Sequence, residues 1–133
     1  IELDNFKQIN DCYGHAIGDR VLKNLARMLR QRLRKTDVIG RYGGEEFAMI
    51  LINTTLEDGA AIMNRLRANF SKIHHYGREG NFKVTFSCGI AELETNWSAD
   101  QISQCADNAL YEAKNSGRNR VVKCKASAPK KNH

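Results

Sequence analysis

Residues 41 to 47 read RYGGEEF, and apolar runs lie on both sides of this stretch. Val38-Ile39 precedes it, and Phe47 to Ile52 (FAMILI) follows it. Two apolar runs separated by a glycine pair predict a β-hairpin with its turn at Gly43-Gly44. The carboxylates of Glu45 and Glu46 then lie directly beside a turn that has no side chains. A solvated hairpin tip and a ligand site are both compatible with this pattern.

Helices and further strands are predicted on both sides of the hairpin. Amphipathic periodicity and capping residues indicate helices over residues 20–34, 55–73 and 98–115. Strands are indicated at residues 1–4, 83–91 and 120–123, and loops at residues 74–81 and, with a short helix as the alternative, at residues 5–19. The resulting order, β-α-β-β-α-β-α-β, predicts an α/β (α+β) fold with a central mixed, largely antiparallel sheet of about five strands flanked by helices.

Length and composition limit the organisation and the partners of the chain. Its 133 residues predict one domain, residues 1–124, followed by a basic and disordered tail, residues 125–133. Residues 1–4 resemble the end of a strand rather than the start of a domain. We therefore expect that an upstream strand and an upstream regulatory domain are missing from this sequence. Much of the net charge of +6 lies in the tail, and the mildly basic remainder suits a phosphorylated small molecule as well as nucleic acid. No apolar run has the length of a membrane span, so we expect a cytoplasmic domain without membrane contact, although a full-length protein could be anchored in a membrane through an absent N-terminal region.

The cysteines at positions 12, 88, 105 and 124 are scattered and form no C-x-x-C pair. No histidines occur at metal-ligand spacing. A disulfide framework or a zinc site is therefore not expected, and a reducing compartment is favoured.

Acidic residues at two places in the sequence could form a magnesium site. Glu2 and Asp4 belong to the first strand, and Glu45 and Glu46 to the hairpin. Mg²⁺ in proteins takes one or two carboxylates and completes its octahedron with water and phosphate oxygens. The Gly43-Gly44 turn would let a phosphate approach the backbone closely. An exposed tip with solvated acids has about equal weight on spacing alone.

Two groups of charged residues could either bind a ligand or have an ordinary structural role. Lys114 and Arg118, four apart at the end of a helix, either grip phosphates or offset the helix dipole. Arg34 and Asp37 form an R-x-x-D spacing of a kind that arises easily in a chain rich in charge, and Arg65 could face them from the next helix.

Four ordered blocks of sequence resemble the GGDEF domain, the diguanylate cyclase family, over residues 1 to 124. LDNFKQIND with YGH and GD is similar to the family pattern D-x-D-x-F-K-x-x-N-D…YGH…GD. RYGGEEF is the signature with glutamate at its third position, VTFSCGIA matches the late strand, and ADNALYEAKNSGRNRV matches the final helix and strand. The resemblance implies a nucleotide-cyclase or palm-like fold and the Mg²⁺-dependent condensation of two GTP molecules into cyclic di-GMP, with Mn²⁺ as an alternative cation.

The resemblance also implies a role for each matching position. Asn10 and Asp19 would bind guanine, whereas Asn5, Phe6, Lys7, Gly43, Gly44, Lys114 and Arg118 would contact the rest of the nucleotide, mainly its phosphates. Glu45 would bind metal together with Glu2 and the Leu3 carbonyl, and Glu46 would orient the nucleotide or the attacking hydroxyl. Glu45 is a candidate general base. Position 2 departs from the family pattern, because glutamate replaces the usual aspartate.

The resemblance further implies a dimer, since each domain holds one GTP and the product joins two. Arg34, Asp37 and Arg65 fall where the family carries its inhibitory site for cyclic di-GMP. The alternative is a catalytically silent GGDEF module that senses GTP or cyclic di-GMP or mediates protein interaction. A nucleic-acid-binding domain is disfavoured, because the strands lack an aromatic stacking platform.

Overall fold

The computed structural model describes residues 1–78 and 80–124. Its elements in chain order are β1 (Glu2–Leu3), α1 (Phe6–Tyr13), α2 (His15–Arg32), β2 (Val38–Arg41), β3 (Phe47–Ile50), α3 (Leu56–Ser71), β4 (His75–Gly77), β5 (Gly80–Phe82), β6 (Phe86–Ile90), α4 (Ala99–Asn115) and β7 (Val121–Lys123). The predicted mixed α/β class and the β2–β3 hairpin are confirmed. The predicted tail at residues 125–133 lies outside the described residues.

The strands form three sheets in place of the predicted single sheet of about five strands. β6 is the middle strand of the first sheet, antiparallel to β1 and parallel to β7. The β2–β3 hairpin is joined to β1 by one isolated antiparallel bridge between Glu2 and Glu46. β1 therefore lies between β6 and the hairpin, so the end of the first strand and the glycine turn meet as expected.

Two segments predicted as loops have regular structure. Residues 5–19 contain α1 and the first turn of α2, and residues 74–81 contain the small β4–β5 hairpin. This hairpin forms because its apolar face packs on the body of the protein: His75 is buried, and the Phe82 ring stacks on Tyr13 with centroids 4.1 Å apart. The tertiary contact stabilises two strands that are too short for a recognisable alternation.

The core lies between the helices and the β6 sheet. Buried residues from several elements form it: Leu3, Val21, Leu25, Leu29, Phe47, Met63, Leu66, Phe70 and Phe86. α4 packs closely on β6 because residue 89 is glycine, and a β-carbon there would overlap the backbone of Ala106 and Leu110. The predicted N-cap of α3 at Thr55 and the capping box of Ser98 and Gln101 in α4 are both present.

A disulfide joins Cys105 in α4 to Cys124 after β7, contrary to the expectation from cysteine spacing. β7 returns beside α4 and brings the two α-carbons to 5.6 Å, within the range that a disulfide requires. Their separation of 19 residues carries no recognisable motif. Cys12 and Cys88 are free thiols.

Among the described helices, none has both the length and the apolar character needed to cross a lipid bilayer.

Candidate active site

Glu2 and Glu46 lie opposite each other where β1 meets the hairpin. Two backbone hydrogen bonds fix this register: the Leu3 amide donates to the Glu45 carbonyl (3.1 Å), and the Phe47 amide donates to the Ile1 carbonyl (2.8 Å). Residues directly opposite in an antiparallel pair project from the same face of the sheet. The side chains of Glu2 and Glu46 are therefore neighbours.

Lys114 brings a positive charge to this carboxylate pair. Its Nζ lies 2.9 Å from Glu2 Oε2, and both side chains are largely covered, with 34% of Lys114 and 19% of Glu2 exposed. Burial raises the pKa of Glu46, and the negative charge of Glu2 raises it further, whereas the ammonium group of Ile1 and then Lys114 oppose these effects. Asp107 on α4 also raises the pKa of Glu46. The local excess of negative charge favours a bound cation.

A pair of carboxylates is enough to hold a divalent cation such as Mg²⁺ when other groups complete its coordination shell. Within residues 1–78 and 80–124, no group of three or more histidine, cysteine, aspartate or glutamate side chains could hold a metal by itself. Mg²⁺ needs only one or two carboxylates when phosphate and water complete its shell. Glu2 and Glu46 form such a pair. Glu45 is half-buried, and its side chain has no hydrogen-bond or ion-pair partner among the described residues.

The Gly43-Gly44 turn is open on its outer side. A β-carbon at either position would meet nothing within 4 Å, and neither glycine has a positive φ. Arg41 holds the turn from the other side, donating to the Gly44 carbonyl from Nη2 (2.6 Å) and from Nε (3.1 Å). The fold of this chain does not itself require glycine at positions 43 and 44, so the bare turn is available to a ligand.

Asn10 and Asp19, the predicted guanine contacts, lie on neighbouring helices. Asn10 Oδ1 is buried without a hydrogen-bond partner among the described residues, and it packs against Gly18. Asp19 lines a cavity of about 560 Å³ between α2 and the hairpin, together with Lys23, Arg27, Arg30 and Arg41. Asn10 is not part of the lining of that cavity.

Asn5, Phe6 and Lys7 form the start of α1. Asn5 is the N-cap in left-handed conformation (φ 56°), and its side chain makes no capping hydrogen bond. The first turn of α1 contains no acidic residue, so its free amides offer an anion-binding end. Phe6 is half-buried against the core, and exposed Lys7 pairs with Asp11 at 3.3 Å.

Arg118 does not share a helix face with Lys114, because α4 ends at Asn115. Gly117 (φ 127°) turns the chain, and Arg118 (φ 61°) follows in left-handed conformation with its amide donating to the Ala113 carbonyl (2.9 Å). Of the two residues that the sequence places at the end of a helix, only Lys114 is part of it. Lys114 belongs to the carboxylate cluster, and Arg118 lies on the loop beyond it.

Arg34, Asp37 and Arg65 line a second cavity of about 510 Å³ between the end of α2 and α3. Arg34 Nη2 donates to Asp37 Oδ1 (3.0 Å) and to Thr54 Oγ1 (3.0 Å). These contacts with Arg34 hold the pKa of the Asp37 carboxyl below its usual range. The structure thus brings the three predicted residues together, with Arg32 as a further cation in the lining.

Asp4 does not join the other acids of the possible magnesium site. It is 5% exposed, and its carboxylate accepts hydrogen bonds from Thr85, Ser87 and Asn119, so it is not part of the Glu2–Glu46 cluster. The alternating hydroxyls at positions 85 and 87 of an otherwise apolar stretch are the signal that sequence reasoning missed. Asp107 was also missed, and no pattern in the sequence marks it.

The fold and the site define a mixed α/β domain with a carboxylate pair beside a glycine turn, and comparison with known proteins shows its family. The family model described as "Diguanylate cyclase, GGDEF domain" matches residues 1–120. The chain therefore belongs to the GGDEF family.

Individual members of the family are similar to this chain in sequence and in structure. The diguanylate cyclase DgcP of Pseudomonas aeruginosa is 43% identical over 121 residues, which are 91% of this chain but 18% of that protein. The GGDEF domain of DgcB from Caulobacter crescentus, solved with c-di-GMP, matches with a TM-score of 0.88 at 33% identity, covering 92% of this chain and 74% of that one. The active GGEEF domain of a diguanylate cyclase from Vibrio cholerae matches with a TM-score of 0.87 at 33% identity, covering 93% and 79%.

Proposed function

We propose that this chain condenses two GTP molecules into cyclic di-GMP and releases two pyrophosphates. The observation that carries the proposal is the cluster of Glu2, Glu46 and Lys114 beside the open Gly43-Gly44 turn, in a chain of the GGDEF family. The identity to named diguanylate cyclases supports it.

GTP binding is assigned to the surface between α1, α2 and the hairpin. Asn10 and Asp19 recognise guanine, and the unpartnered buried oxygen of Asn10 supports this role, because a buried polar atom calls for a hydrogen-bond partner. The phosphates lie over Gly43-Gly44 and the first amides of α1, and Lys114 and Arg118 neutralise their charge.

The reaction is an in-line attack of one 3′-hydroxyl on the α-phosphate of the other nucleotide, with pyrophosphate as the leaving group. Glu2, Glu45, Glu46 and the Leu3 carbonyl are the groups that would hold a divalent cation. When bound, Mg²⁺ or Mn²⁺ neutralises charge on the phosphate and lowers the pKa of the attacking hydroxyl. Glu45, whose carboxylate has no partner within the described residues, accepts the proton, and Glu46 orients the nucleotide.

The active species is a symmetric homodimer. One chain provides one set of nucleotide-binding groups, and each GTP supplies both a nucleophile and an electrophile. Two copies must therefore face each other with their GTP molecules antiparallel, and the product forms between them. We further propose that an upstream regulatory domain controls this encounter and that the reaction takes place in the cytoplasm.

Product inhibition is assigned to the cavity around Arg34, Asp37 and Arg65. The cavity has three cationic side chains, including Arg32, and cyclic di-GMP carries two phosphates that such residues would bind. The GGDEF domain of DgcB, a structural relative, was solved in complex with c-di-GMP.

A catalytically silent GGDEF module that senses GTP or cyclic di-GMP, or mediates protein interaction, is the second candidate. It is favoured by one observation: Glu2, which replaces the usual aspartate, is already neutralised by Lys114 at 2.9 Å. In a silent module the Glu2–Lys114 ion pair would stay closed. In an active cyclase the pair would open when GTP binds.

The test is incubation of the protein with GTP and Mg²⁺, followed by chromatography for cyclic di-GMP, with Glu45→Ala as the control. We expect product from the wild type, and none from the variant. GTP binding without product at high protein concentration would support the silent module instead.

A further inference from the structure

Asp4 is a buried acid whose carboxylate is fully engaged by neutral donors. Ser87 Oγ donates to Oδ1 at 2.6 Å, and Thr85 Oγ1 donates to Oδ2 at 2.6 Å. The backbone amide of Asn119 donates to Oδ2 at 3.0 Å. No lysine, arginine or histidine pairs with Asp4 in the described part of the chain. A buried carboxylate with three donors is held in place rather than poised to bind a ligand.

The loop that Asp4 reaches has an unusual backbone. Gly117, Arg118 and Asn119 have φ angles of 127°, 61° and 48°, so two successive side-chain-bearing residues occupy the left-handed region. Such a conformation persists only when the surroundings determine it. Arg67 on α3 supplies a second contact from the outside, since its Nη1 donates to Asn119 Oδ1 at 2.7 Å. Asn119 is therefore held from two sides.

The position of Asp4 links the two halves of the candidate site. Asp4 lies two residues after Glu2, and its own amide donates to the Thr85 carbonyl at 2.9 Å, which fixes it beside β6. Its carboxylate accepts from the amide of Asn119, the residue that follows Arg118. The amide of Arg118 donates to the Ala113 carbonyl and its carbonyl accepts from Arg120 Nε at 3.0 Å, so Asp4 is one of several groups that hold this loop, and the one that joins it to β1.

We propose that Asp4 is a positioning residue that holds the 117–119 loop so that Arg118 can bind the nucleotide phosphates. The inference rests on the proposed GTP-binding function of Arg118. It separates the two acids of the first strand: Glu2 faces the ligand, whereas Asp4 acts only through the loop.

The test is a double-mutant cycle of Asp4→Asn and Arg118→Ala, read as the Kd of a non-hydrolysable GTP analogue by calorimetry. Asparagine keeps the size of the side chain, but its amide nitrogen cannot accept a hydrogen bond. We expect Asp4→Asn to weaken binding by roughly tenfold in the wild type and by less than about twofold in the Arg118→Ala background. Hydrogen exchange of the Asn119 amide should become faster in Asp4→Asn. Lys123→Ala, which removes the exposed ion pair with Glu57, is the matched control and should change neither quantity.

Equal loss of affinity in both backgrounds would overturn the inference, because Asp4 would then act independently of Arg118. An altered Mg²⁺ requirement with unchanged affinity would also overturn it, since Asp4 would be a metal ligand. If Asp4→Asn fails to fold, half-buried Arg67→Ala, which removes the other side-chain contact of Asn119, carries the same cycle with the same expectation. A wild type that binds no GTP analogue would refute the proposed function and this inference together, whereas loss of the coupling alone would refute only the role of Asp4.

Discussion

Glu2 and Glu46 face each other across the single bridge that joins β1 to the β2–β3 hairpin, with Lys114 Nζ 2.9 Å from Glu2. The side chain of Glu46, rather than that of Glu45, is thereby placed next to the first-strand acid. Burial raises the pKa of Glu46 and the charge of Glu2 raises it further, so a cation beside the pair stabilises its charged form. In the free protein Lys114 provides part of that positive charge.

The glycine turn should be needed for turnover but not for folding. A methyl group at position 43 or 44 would meet no protein atom within 4 Å, so Gly43→Ala and Gly44→Ala should change the free energy of unfolding by less than about 0.5 kcal/mol. A methyl group would nevertheless occupy the space that we assign to the nucleotide. We expect cyclic di-GMP formation to fall by roughly tenfold or more, because a displaced ligand loses favourable contacts. Normal turnover in both variants would show that the nucleotide does not lie over the turn.

Gly18 should control GTP affinity through Asn10. A β-carbon at residue 18 would overlap Asn10 Oδ1, so Gly18→Ala must displace the Asn10 side chain. Loss of one hydrogen bond to guanine corresponds to a roughly tenfold weaker Kd for GTP. Calorimetry should detect this loss, and the same substitution in an Asn10→Ala background should add little. A further large loss in that background would mean that Gly18 acts on the fold and not on Asn10.

His75 should make the fold sensitive to mild acid. It is 3% exposed between Phe70 and Phe82, and neither ring nitrogen has a hydrogen-bond partner among the described residues. Burial lowers the pKa of His75 below its ordinary value of 6.5, and the charge of His74 adds to this effect. Above pH 6.5, the ordinary pKa of histidine, His75 is mostly neutral in both the folded and the unfolded chain. As the pH falls below 6.5, the unfolded chain binds a proton at His75 before the folded chain does, so the free energy of unfolding decreases.

His75→Phe should therefore reduce the loss of thermal stability between pH of about 7.5 and about 5, the range in which histidine titrates. His74→Gln, at an exposed neighbouring position, is the control and should keep most of that loss. An unchanged acid profile in His75→Phe would assign the effect to other groups.

Arg34 should be required for inhibition by the product but not for catalysis. Arg34→Ala removes one of three cations from the second cavity, and we expect the inhibitory concentration of cyclic di-GMP to rise at least about tenfold. The uninhibited rate should stay the same. Arg65→Ala should have a similar effect, whereas exposed Lys35→Ala should not. Unchanged inhibition in Arg34→Ala would show that cyclic di-GMP does not inhibit the protein through this cavity.

Local signals in the sequence predicted much of the fold. The glycine pair between apolar runs marked the β2–β3 hairpin, and Thr55 and Ser98 marked the starts of α3 and α4. These features depend on residues that are close in sequence. The β4–β5 hairpin was not predictable in the same way, because it depends on the packing of Phe82 against Tyr13.

The site was predictable in its members but not in their pairing. Whether Glu45 or Glu46 lies opposite Glu2 depends on a register fixed by one bridge, and that register has no signature in the sequence. Asp4 and Glu2 are equally acidic neighbours, but only the long-range contacts with Ser87 and Asn119 show that Asp4 is buried and engaged. The Cys105–Cys124 disulfide likewise depends on the return of β7 beside α4.

The role of Glu2 in the reaction is tested by the rate of cyclic di-GMP formation from GTP as Mg²⁺ is titrated, for the wild type and for Glu2→Gln. The glutamine keeps the length of the side chain and removes its charge. We predict that the wild type forms product, that Glu2→Gln still binds GTP, and that its turnover falls by roughly a hundredfold or more, as for loss of a group that stabilises the transition state. Equal rates in the two proteins at every Mg²⁺ concentration would show that Glu2 neither holds the cation nor takes part in catalysis.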